Sequence, residues 1–129
     1  YRQTRLGRFG RPFTLYKLRT MRQSAEAEGP RFSNDRDDRV LAAGRLLRRW
    51  RIDELPQLVN VLRGEMSLVG PRPERPELAA RLEREIPFYA FRYSVRPGLT
   101  GWAQVQFPYC AETEEHLVKL EERAELRDA

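Results

Sequence analysis

Residues 51–73, RIDELPQLVNVLRGEMSLVGPRP, place two adjacent carboxylates, Asp53 and Glu54, at the head of an apolar segment. Acids at a helix N-terminus interact favourably with the helix dipole and with the free N–H groups, so the pair suits a helix cap. The pair also suits an active site, because a carboxylate can act as a nucleophile or bind a metal ion. Both interpretations stay open on these residues alone.

The apolar residues after the pair recur with the spacing of a helix, and we predict that they form its buried face. They fall at i, i+3, i+4 and i+7: Leu55, Leu58, Val59 and Leu62. Asp53 is the expected N-cap, Pro56 is tolerated in the first turn, and Gly64 follows where a C′ glycine belongs.

Basic residues flank the carboxylate pair on both sides. Arg48, Arg49 and Arg51 precede it, and Arg72 follows within Gly-Pro-Arg-Pro. The two prolines restrict the backbone around Arg72, so little entropy is lost when this arginine binds an anion. An ionised nucleophile approaches a phosphoryl group only where cations mask the charge, and arginine matches phosphate oxygens bidentately. The pattern therefore supports phosphate chemistry about as well as it supports a helix cap, and both interpretations stay open.

Residues 1–21, YRQTRLGRFGRPFTLYKLRTM, alternate polar and apolar side chains around Gly7 and Gly10. This pattern predicts a short β-hairpin. Strand alternation would put Lys17 and Arg19 on the same side of the hairpin. They form either a solvated face or a second wall of a phosphate pocket.

The remaining segments predict a compact, mostly helical α+β fold with small β elements, and one domain over 1–129 is the simplest partition. Helices are expected from Asp37 or Asp38 to Trp50, from Pro76 to about Ile86, and over 112–127. An exposed loop is expected over 22–38 and a short strand over 66–69.

Two segments carry aromatic residues with two interpretations each. PGLTGWAQV, residues 97–105, predicts a turn followed by an extended piece. Its Trp102 belongs to the core or, with Gln104, lines a nucleotide-sugar pocket. Residues 78–93, which include PFYAFRY, form either core or a membrane-facing surface.

Composition narrows the class of protein. Of the 129 residues, 33% are charged and the net charge is +5, which favours nucleic acid, anionic lipids or phosphorylated small molecules as partners. A single cysteine, Cys110, excludes an intrachain disulfide, and with the single histidine, His116, it gives no zinc site. The sequence has no apolar run of about 18 residues, so no membrane-spanning helix is predicted.

Three blocks in this order, residues 1–21, 51–73 and 96–105, resemble the bacterial sugar transferases, also called monotopic phosphoglycosyl transferases. The resemblance covers residues 1–107, and within the family the chain is similar to the exopolysaccharide-type members. It implies the catalytic domain of a monotopic enzyme at the cytoplasmic face of the bacterial inner membrane. Family members transfer a sugar 1-phosphate from a UDP-sugar to undecaprenyl phosphate and release UMP, which initiates polysaccharide assembly.

The resemblance also implies roles for single residues. Asp53 would be the nucleophile that forms a phosphosugar–aspartate intermediate, and Glu54 would help to hold Mg²⁺. Lys17, Arg48 and Arg72 would bind phosphate. Together with the residues selected from pattern, the candidate substrate-binding set is Lys17, Arg19, Arg48, Arg72 and Gln104.

The chain departs from the family pattern in three places. We expect it to lack the re-entrant hydrophobic helix that precedes the first block in family members. Gln106-Phe107-Pro108 stands where many members have Asn-Gly-Arg. Residues 108–129 are predicted to form a divergent or truncated helical tail.

Two alternative functions stay open. The net charge would suit a basic nucleic-acid-binding module, but the arginines concentrate around acids and no recognised binding motif is present, so no nucleic-acid partner is expected. A chain without its membrane helix would alternatively be a catalytically silent domain. The identity of the sugar and the oligomeric state, including a homo-oligomer, are left open.

Overall fold

The computed structural model describes residues 1–23, 27 and 37–106 of the chain. Most of the predicted loop and the whole predicted tail, with Cys110 and His116, lie outside the described residues. The described part consists of short helices and two small two-stranded sheets, which confirms the predicted α+β class. No helix in that part is long and apolar enough to cross a bilayer.

The predicted hairpin is confirmed. Strand β1 (Arg2–Leu6) pairs antiparallel with β2 (Pro12–Tyr16), with Arg2 opposite Tyr16 at the open end. The turn between them uses left-handed backbone at Phe9 (φ 59°) and Gly10 (φ 70°), a conformation that glycine adopts without strain. Strand β2 ends at Tyr16, before the two basic residues that the pattern placed on it.

The helix predicted before the carboxylate pair is α1 (Ala42–Arg49), and it begins later than expected. The prediction of an aspartate cap was wrong, because Leu41 holds the N-cap position and no side chain caps the helix. Asp37 instead accepts hydrogen bonds from the backbone N–H (3.0 Å) and the guanidinium of Arg39. This local turn satisfies the aspartate outside the helix.

The carboxylate pair lies in a 3₁₀ helix, Ile52–Gln57, which we call the dyad helix; it continues directly into α2 (Leu58–Leu62). The prediction that Asp53 is the N-cap was wrong. Arg51 occupies that position with left-handed backbone (φ 56°), and Asp53 lies inside the first turn. Such a backbone costs a non-glycine residue roughly 1–2 kcal/mol, and here it lies in the turn between α1 and the dyad helix. Gly64 (φ 76°) follows α2 at the predicted C′ position.

The buried face of the dyad helix and α2 is polar, which is the reverse of the prediction. The buried side chains are Asp53, Glu54, Gln57 and Asn60. The four apolar residues of the predicted core face are all exposed, and Leu62 reaches 88%. The predicted helical period is confirmed, but the prediction of the buried face was wrong. The polar side is buried because it carries the two acids and Asn60, which binds the segment to the hairpin. A contiguous exposed apolar surface of this kind marks a site of interaction with another molecule or a membrane.

Asn60 is the anchor between α2 and the hairpin. Its side chain is fully buried, and its amide nitrogen donates to the carbonyl of Thr14 (2.7 Å) and the carboxylate of Glu65 (2.7 Å). Its amide oxygen accepts from the backbone N–H of Tyr16 (3.3 Å). These bonds hold the end of β2 against the helical segment, so Lys17, the next residue, starts beside the carboxylate pair.

Strands β3 (Ser67–Val69) and β4 (Gly98–Thr100) form a parallel pair, and α3 (Pro76–Glu85) lies between them in the chain. This confirms the predicted strand at 66–69 and the predicted helix from Pro76. The backbones of Gly70 and Gly98 pass so closely that a Cβ on Gly98 would lie 2.0 Å from the Gly70 nitrogen. A side chain at this crossing would push apart the segment that leads into Gly-Pro-Arg-Pro.

The aromatic segment is divided between core and surface. Tyr89 packs with Leu82 and Ile86 in the small core. Phe88 and Phe91 lie on the surface, 81% and 71% exposed, with ring centroids 5.9 Å apart. The core interpretation is therefore confirmed for part of residues 78–93, and the membrane-facing interpretation stays a prediction for the two exposed phenylalanines.

The segment after β4 forms a short helix, α4 (Trp102–Gln106), where the sequence predicted an extended piece. Only Gly98–Thr100 is extended. The interpretation of Trp102 as a core residue was wrong, because its side chain is 60% exposed.

Candidate active site

Asp53 and Glu54 lie side by side at the buried start of the dyad helix, 6% and 7% exposed. Their backbone is attached to the hairpin, because the N–H of Leu18 donates to the carbonyl oxygen of Asp53 (2.9 Å). Buried charges are costly unless they are paired or coordinate a cation. The groups around the two carboxylates therefore decide what the pair can do.

Each carboxylate oxygen of Glu54 faces an arginine. Oε1 accepts from both terminal nitrogens of Arg72 (3.3 and 3.4 Å), and Oε2 accepts from Nη1 of Arg51 (3.3 Å). The Gly-Pro-Arg-Pro loop thus brings Arg72 to the acid pair, as the sequence pattern indicated. These bonds are long and both arginines are partly exposed, so an incoming anion or cation can displace them at small cost.

The surroundings of Asp53 raise the pKa of its carboxyl above the ordinary value. Burial is the largest cause and the charge of Glu54 is the next; Lys17 and Arg48 act in the opposite direction. An N-cap position would lower this pKa, but Asp53 is buried in the first turn and is not the N-cap. Its ionised form is high in free energy, which is typical of a carboxylate that reacts or binds a cation.

Lys17 belongs to the same cluster of charges. Burial lowers the pKa of its ammonium to about 8, with further lowering by Arg5, Arg72 and Arg48, and Asp53 acts in the opposite direction. An ammonium that is poorly solvated and repelled by neighbouring cations gains from a bound anion. The structure therefore brings Lys17 and Asp53 together, as the family resemblance implied.

Arg48 reaches this cluster from the last turn of α1. Its Nε donates to Oγ1 of the buried Thr20 (2.9 Å). The helix approaches this threonine closely, since a Cβ on Gly44 would lie 2.2 Å from the Thr20 carbonyl oxygen. The sequence interpretation missed both supporting residues. A glycine inside an amphipathic helix is unfavourable by itself, so Gly44 was the available signal for a close approach.

Two predicted residues are not placed at the carboxylates. Strand β2 ends before Arg19, whose side chain is exposed. The amide oxygen and nitrogen of Gln104, on α4, are both buried and have no hydrogen-bond partner among the described residues. A buried amide in this state suits a ligand that would satisfy it.

Two arginines that the sequence interpretation did not select hold the loop around Arg72. Arg5, on β1, donates to the carbonyl oxygen of Pro73 (3.1 Å). Arg92 donates to the carbonyl oxygen of Arg72 itself (2.7 Å). Strand alternation puts Arg5 on one face of the hairpin, so the pattern contained a signal for it. Arg92 lies in a stretch that was considered only for its aromatic residues.

The cluster combines two adjacent carboxylates with cations from three separate parts of the chain. Arginine forks and an ammonium suit the oxygens of a diphosphate, and a poorly solvated carboxylate suits a nucleophile. The described residues contain no group of three or more acids, histidines or cysteines placed to hold a metal. Two carboxylates still fit Mg²⁺, which takes its other ligands from water and substrate phosphates.

A profile described as bacterial sugar transferase matches residues 1–126. The chain belongs to this family. The match confirms the resemblance carried by the three sequence blocks, and it extends beyond residue 107.

Several members of the bacterial sugar transferase family are similar to this chain over most of its length. The UDP-N-acetylgalactosamine-undecaprenyl-phosphate N-acetylgalactosaminephosphotransferase of Aeromonas hydrophila is 49% identical over 92% of the chain and 28% of its own length. The UDP-glucose:undecaprenyl-phosphate glucose-1-phosphate transferase of Caulobacter vibrioides is 53% identical over 82% of the chain and 40% of its own length. The Escherichia coli K12 protein of the same name is 41% identical over 97% of the chain and 26% of its own length. The chain thus spans less than half of each of these relatives.

Proposed function

We propose that the protein is an undecaprenyl-phosphate sugar phosphotransferase, which moves a sugar 1-phosphate from a UDP-sugar to undecaprenyl phosphate and releases UMP. The observation that carries this proposal is the buried Asp53–Glu54 pair among Lys17, Arg48 and Arg72. The relatives support it, since their names state UDP-sugars and undecaprenyl phosphate. The reaction would start the assembly of a polysaccharide.

Asp53 is the nucleophile of the first half-reaction. One of its carboxylate oxygens bonds to the β-phosphorus of the UDP-sugar, the bond from this phosphorus to the bridging oxygen breaks, and UMP leaves with the electron pair. In the second half-reaction, an oxygen of undecaprenyl phosphate attacks the same phosphorus. The bond to Asp53 then breaks and the carboxylate is regenerated. Two displacements through one covalent intermediate give ping-pong kinetics.

The cations of the cluster bind the phosphate oxygens. Arg72 and Arg48 supply planar forks, and Lys17 supplies a point charge. Since a bound diphosphate adds negative charge beside Lys17, it relieves the repulsion that this ammonium experiences from the arginines. The same cations reduce the repulsion between the Asp53 carboxylate and the anionic donor.

Mg²⁺ is the proposed cofactor, and Glu54 would hold it. The chemistry of this residue fits, because Mg²⁺ is commonly bound by one or two carboxylates together with substrate phosphates. Both Glu54 oxygens contact arginines, so Arg72 or Arg51 would have to withdraw when the metal binds. When bound, the ion would supply charge neutralisation at the diphosphate. Arg72, once withdrawn from Glu54, would be available to the same phosphate oxygens.

Gln104 is proposed to contact the nucleotide. Its amide offers one acceptor and two donor hydrogens, and neither polar atom is hydrogen-bonded among the described residues. The imide edge of uracil offers the complementary donor and acceptors. Arg19 is exposed, and its role in substrate binding stays a prediction.

The exposed apolar face of the dyad helix and α2 is proposed to rest on the inner leaflet of the bacterial cytoplasmic membrane. Its residues include Leu55 and Leu62, and the exposed basic residues Arg45 and Arg49 lie on the adjoining helix α1. Apolar side chains next to arginines suit the boundary between anionic headgroups and acyl chains. Asp53 lies on the opposite, buried side of the same helical segment. Only the width of this segment would separate the membrane from the nucleophile, so a lipid-linked acceptor would arrive near Asp53.

Spin labels at Leu62→Cys and Phe91→Cys in the full-length, otherwise cysteine-free enzyme in vesicles test this membrane face. We expect the label at position 62 to be more accessible to oxygen than to a water-soluble nickel reagent, and a control label at Glu83→Cys to show the reverse. Position 91 reports whether the exposed pair of phenylalanines also meets lipid. A water-accessible label at position 62 would contradict the proposed orientation.

UMP release by the full-length enzyme tests the proposed function. With undecaprenyl phosphate and Mg²⁺, we expect UMP from at least one of UDP-glucose and UDP-N-acetylgalactosamine, with parallel lines in double-reciprocal plots. Chelation of Mg²⁺ should stop the reaction. No UMP from any of a wider panel of UDP-sugars would argue for a catalytically silent domain. Tight and steeply salt-dependent binding to DNA would revive the nucleic-acid alternative.

A further inference from the structure

Strand β1 holds the segment that follows Arg72 through both its backbone and a side chain. The N–H of Leu6 donates to the carbonyl oxygen of Glu74 (2.9 Å). The guanidinium of Arg5 donates from Nη1 to the carbonyl oxygen of Pro73 (3.1 Å) and lies 3.8 Å from a carboxylate oxygen of Glu74. Three contacts from two adjacent residues thus fix the backbone immediately after Arg72.

The surroundings of Arg5 are unfavourable for a cation. Burial lowers the pKa of Arg5 to about 10, and the charges of Arg72 and Arg75 lower it further, while Glu74 acts in the opposite direction. Its Nε is buried without a hydrogen-bond partner among the described residues. An aliphatic side chain would avoid these costs, so the fold alone gives little reason for an arginine here.

Arg72 is held from its other side as well. Arg92 donates to the Arg72 carbonyl oxygen (2.7 Å), and the prolines at positions 71 and 73 restrict the backbone torsions on either side. With Arg5 bound to the next carbonyl along the chain, the backbone is restrained on both sides of Arg72.

We infer that Arg5 is a positioning residue, which directs the Arg72 guanidinium towards the substrate phosphates by fixing Pro73 and Glu74. The inference rests on the proposed function, since it assumes that Arg72 binds the UDP-sugar. Arg5 acts through Arg72 and does not touch the reacting atoms. Its loss would therefore matter only while Arg72 is present.

A double-mutant cycle with Arg5→Ala and Arg72→Ala in the full-length enzyme tests this dependence. We expect Arg5→Ala to lower kcat/KM for the UDP-sugar by about 10–30-fold, mostly through KM, and to add less than about 3-fold when Arg72 is already alanine. Arg5→Lys should restore little of the loss, because one ammonium cannot reproduce the forked contacts to Pro73 and Glu74. The matched control is Arg81→Ala, which removes an exposed arginine that pairs with Glu85 in the same helix.

Backbone amide hydrogen exchange of Leu6 and Gly98, whose N–H groups donate to the carbonyl oxygens of Glu74 and Pro71, gives a second readout that does not depend on activity. We expect it to accelerate at least about 10-fold in Arg5→Ala, with no change in the core of α3. If Arg5→Ala does not fold, Glu74→Gln breaks the ion pair alone and should give the same pattern at smaller size. Additive losses in the cycle, or unchanged exchange at these amides, would overturn the inference. If no UDP-sugar is turned over, the proposed function fails, and the exchange measurement still decides whether Arg5 holds the loop.

Discussion

Asp53→Asn is expected to abolish sugar-phosphate transfer and, at the same time, to stabilise the protein. The amide cannot attack phosphorus, so kcat should fall on the order of 10³-fold or more. Folding raises the pKa of Asp53, so the folded protein holds this proton more tightly than the unfolded chain. The destabilisation by Asp53 therefore grows as pH rises through the window between its unfolded and folded pKa values, and it is complete above the latter.

An asparagine at this position carries no such penalty at neutral pH. We expect the melting temperature of Asp53→Asn at neutral pH to lie above that of the parent protein, because the folded state raises the pKa of the carboxyl that the variant removes. The comparison variant is Glu54→Gln, which makes the same change from acid to amide at the adjacent position. Unlike Asp53→Asn, it removes ion pairs with Arg51 and Arg72. That variant should gain no stability, and its activity should recover in part at higher Mg²⁺ concentration. Substantial turnover in Asp53→Asn would contradict the assignment of the nucleophile.

Lys17 is expected to set an alkaline limit on activity near pH 8. Its ammonium loses a proton as pH rises through about 8, and the donor phosphates then lose one of their cations. The profile of kcat/KM, which reports the free enzyme, should fall above this pH, while the limit in kcat should lie higher because bound phosphate favours the charged lysine. Lys17→Met should lower kcat/KM at pH 7 by roughly 10–100-fold, the loss of one or two charged hydrogen bonds.

The free energy of unfolding should also depend on pH through the titration of Lys17. Between about pH 8 and the ordinary lysine pKa, the unfolded chain holds a proton that the folded protein does not, so the contribution of Lys17 to stability rises with pH. Below about pH 8 the destabilisation is complete, and Lys17→Met should therefore be more stable than the parent at pH 7.

Profiles of kcat/KM from pH 6 to 10, measured on the parent protein, Lys17→Arg and Arg19→Met, test whether Lys17 sets the alkaline limit. Lys17→Arg keeps a cation throughout this range, so the alkaline limit should move up by at least about 2 pH units. Arg19→Met is the matched control, because it removes a nearby exposed cation and should leave the limit in place. An unchanged limit near pH 8 in Lys17→Arg would assign it to another group.

The sequence predicted which residues share a face but not always which face is buried. Alternation and glycine punctuation located the hairpin, and the positions of Gly64 and Pro76 located helix boundaries. The spacing of Leu55 to Leu62 was helical, yet these residues are exposed and Asn60 is buried. Periodicity contains no information on what lies outside the domain, and an apolar face is equally suited to a core and to a membrane.

The candidate site was predictable where the chemistry is local and unpredictable where it depends on long-range contacts. Asp53, Glu54 and Arg72 lie in one continuous block, and the structure brings Arg72 to Glu54. Arg5 acts on a residue 68 positions away, so no local pattern reveals the contact. Arg19 was included because strand alternation was extended past the end of β2. The raised pKa of Asp53 could not be predicted from the cations in the sequence, because burial outweighs their effect.

The covalent phosphosugar–aspartate intermediate is the central claim, and mass spectrometry of acid-quenched enzyme tests it most directly. The full-length protein is mixed with its UDP-sugar and Mg²⁺ in the absence of undecaprenyl phosphate, then digested. We predict a burst of UMP of about one equivalent per active site and a sugar-phosphate adduct on the peptide that contains Asp53, absent from Asp53→Asn. UMP release that requires undecaprenyl phosphate, with no adduct on that peptide, would contradict the account.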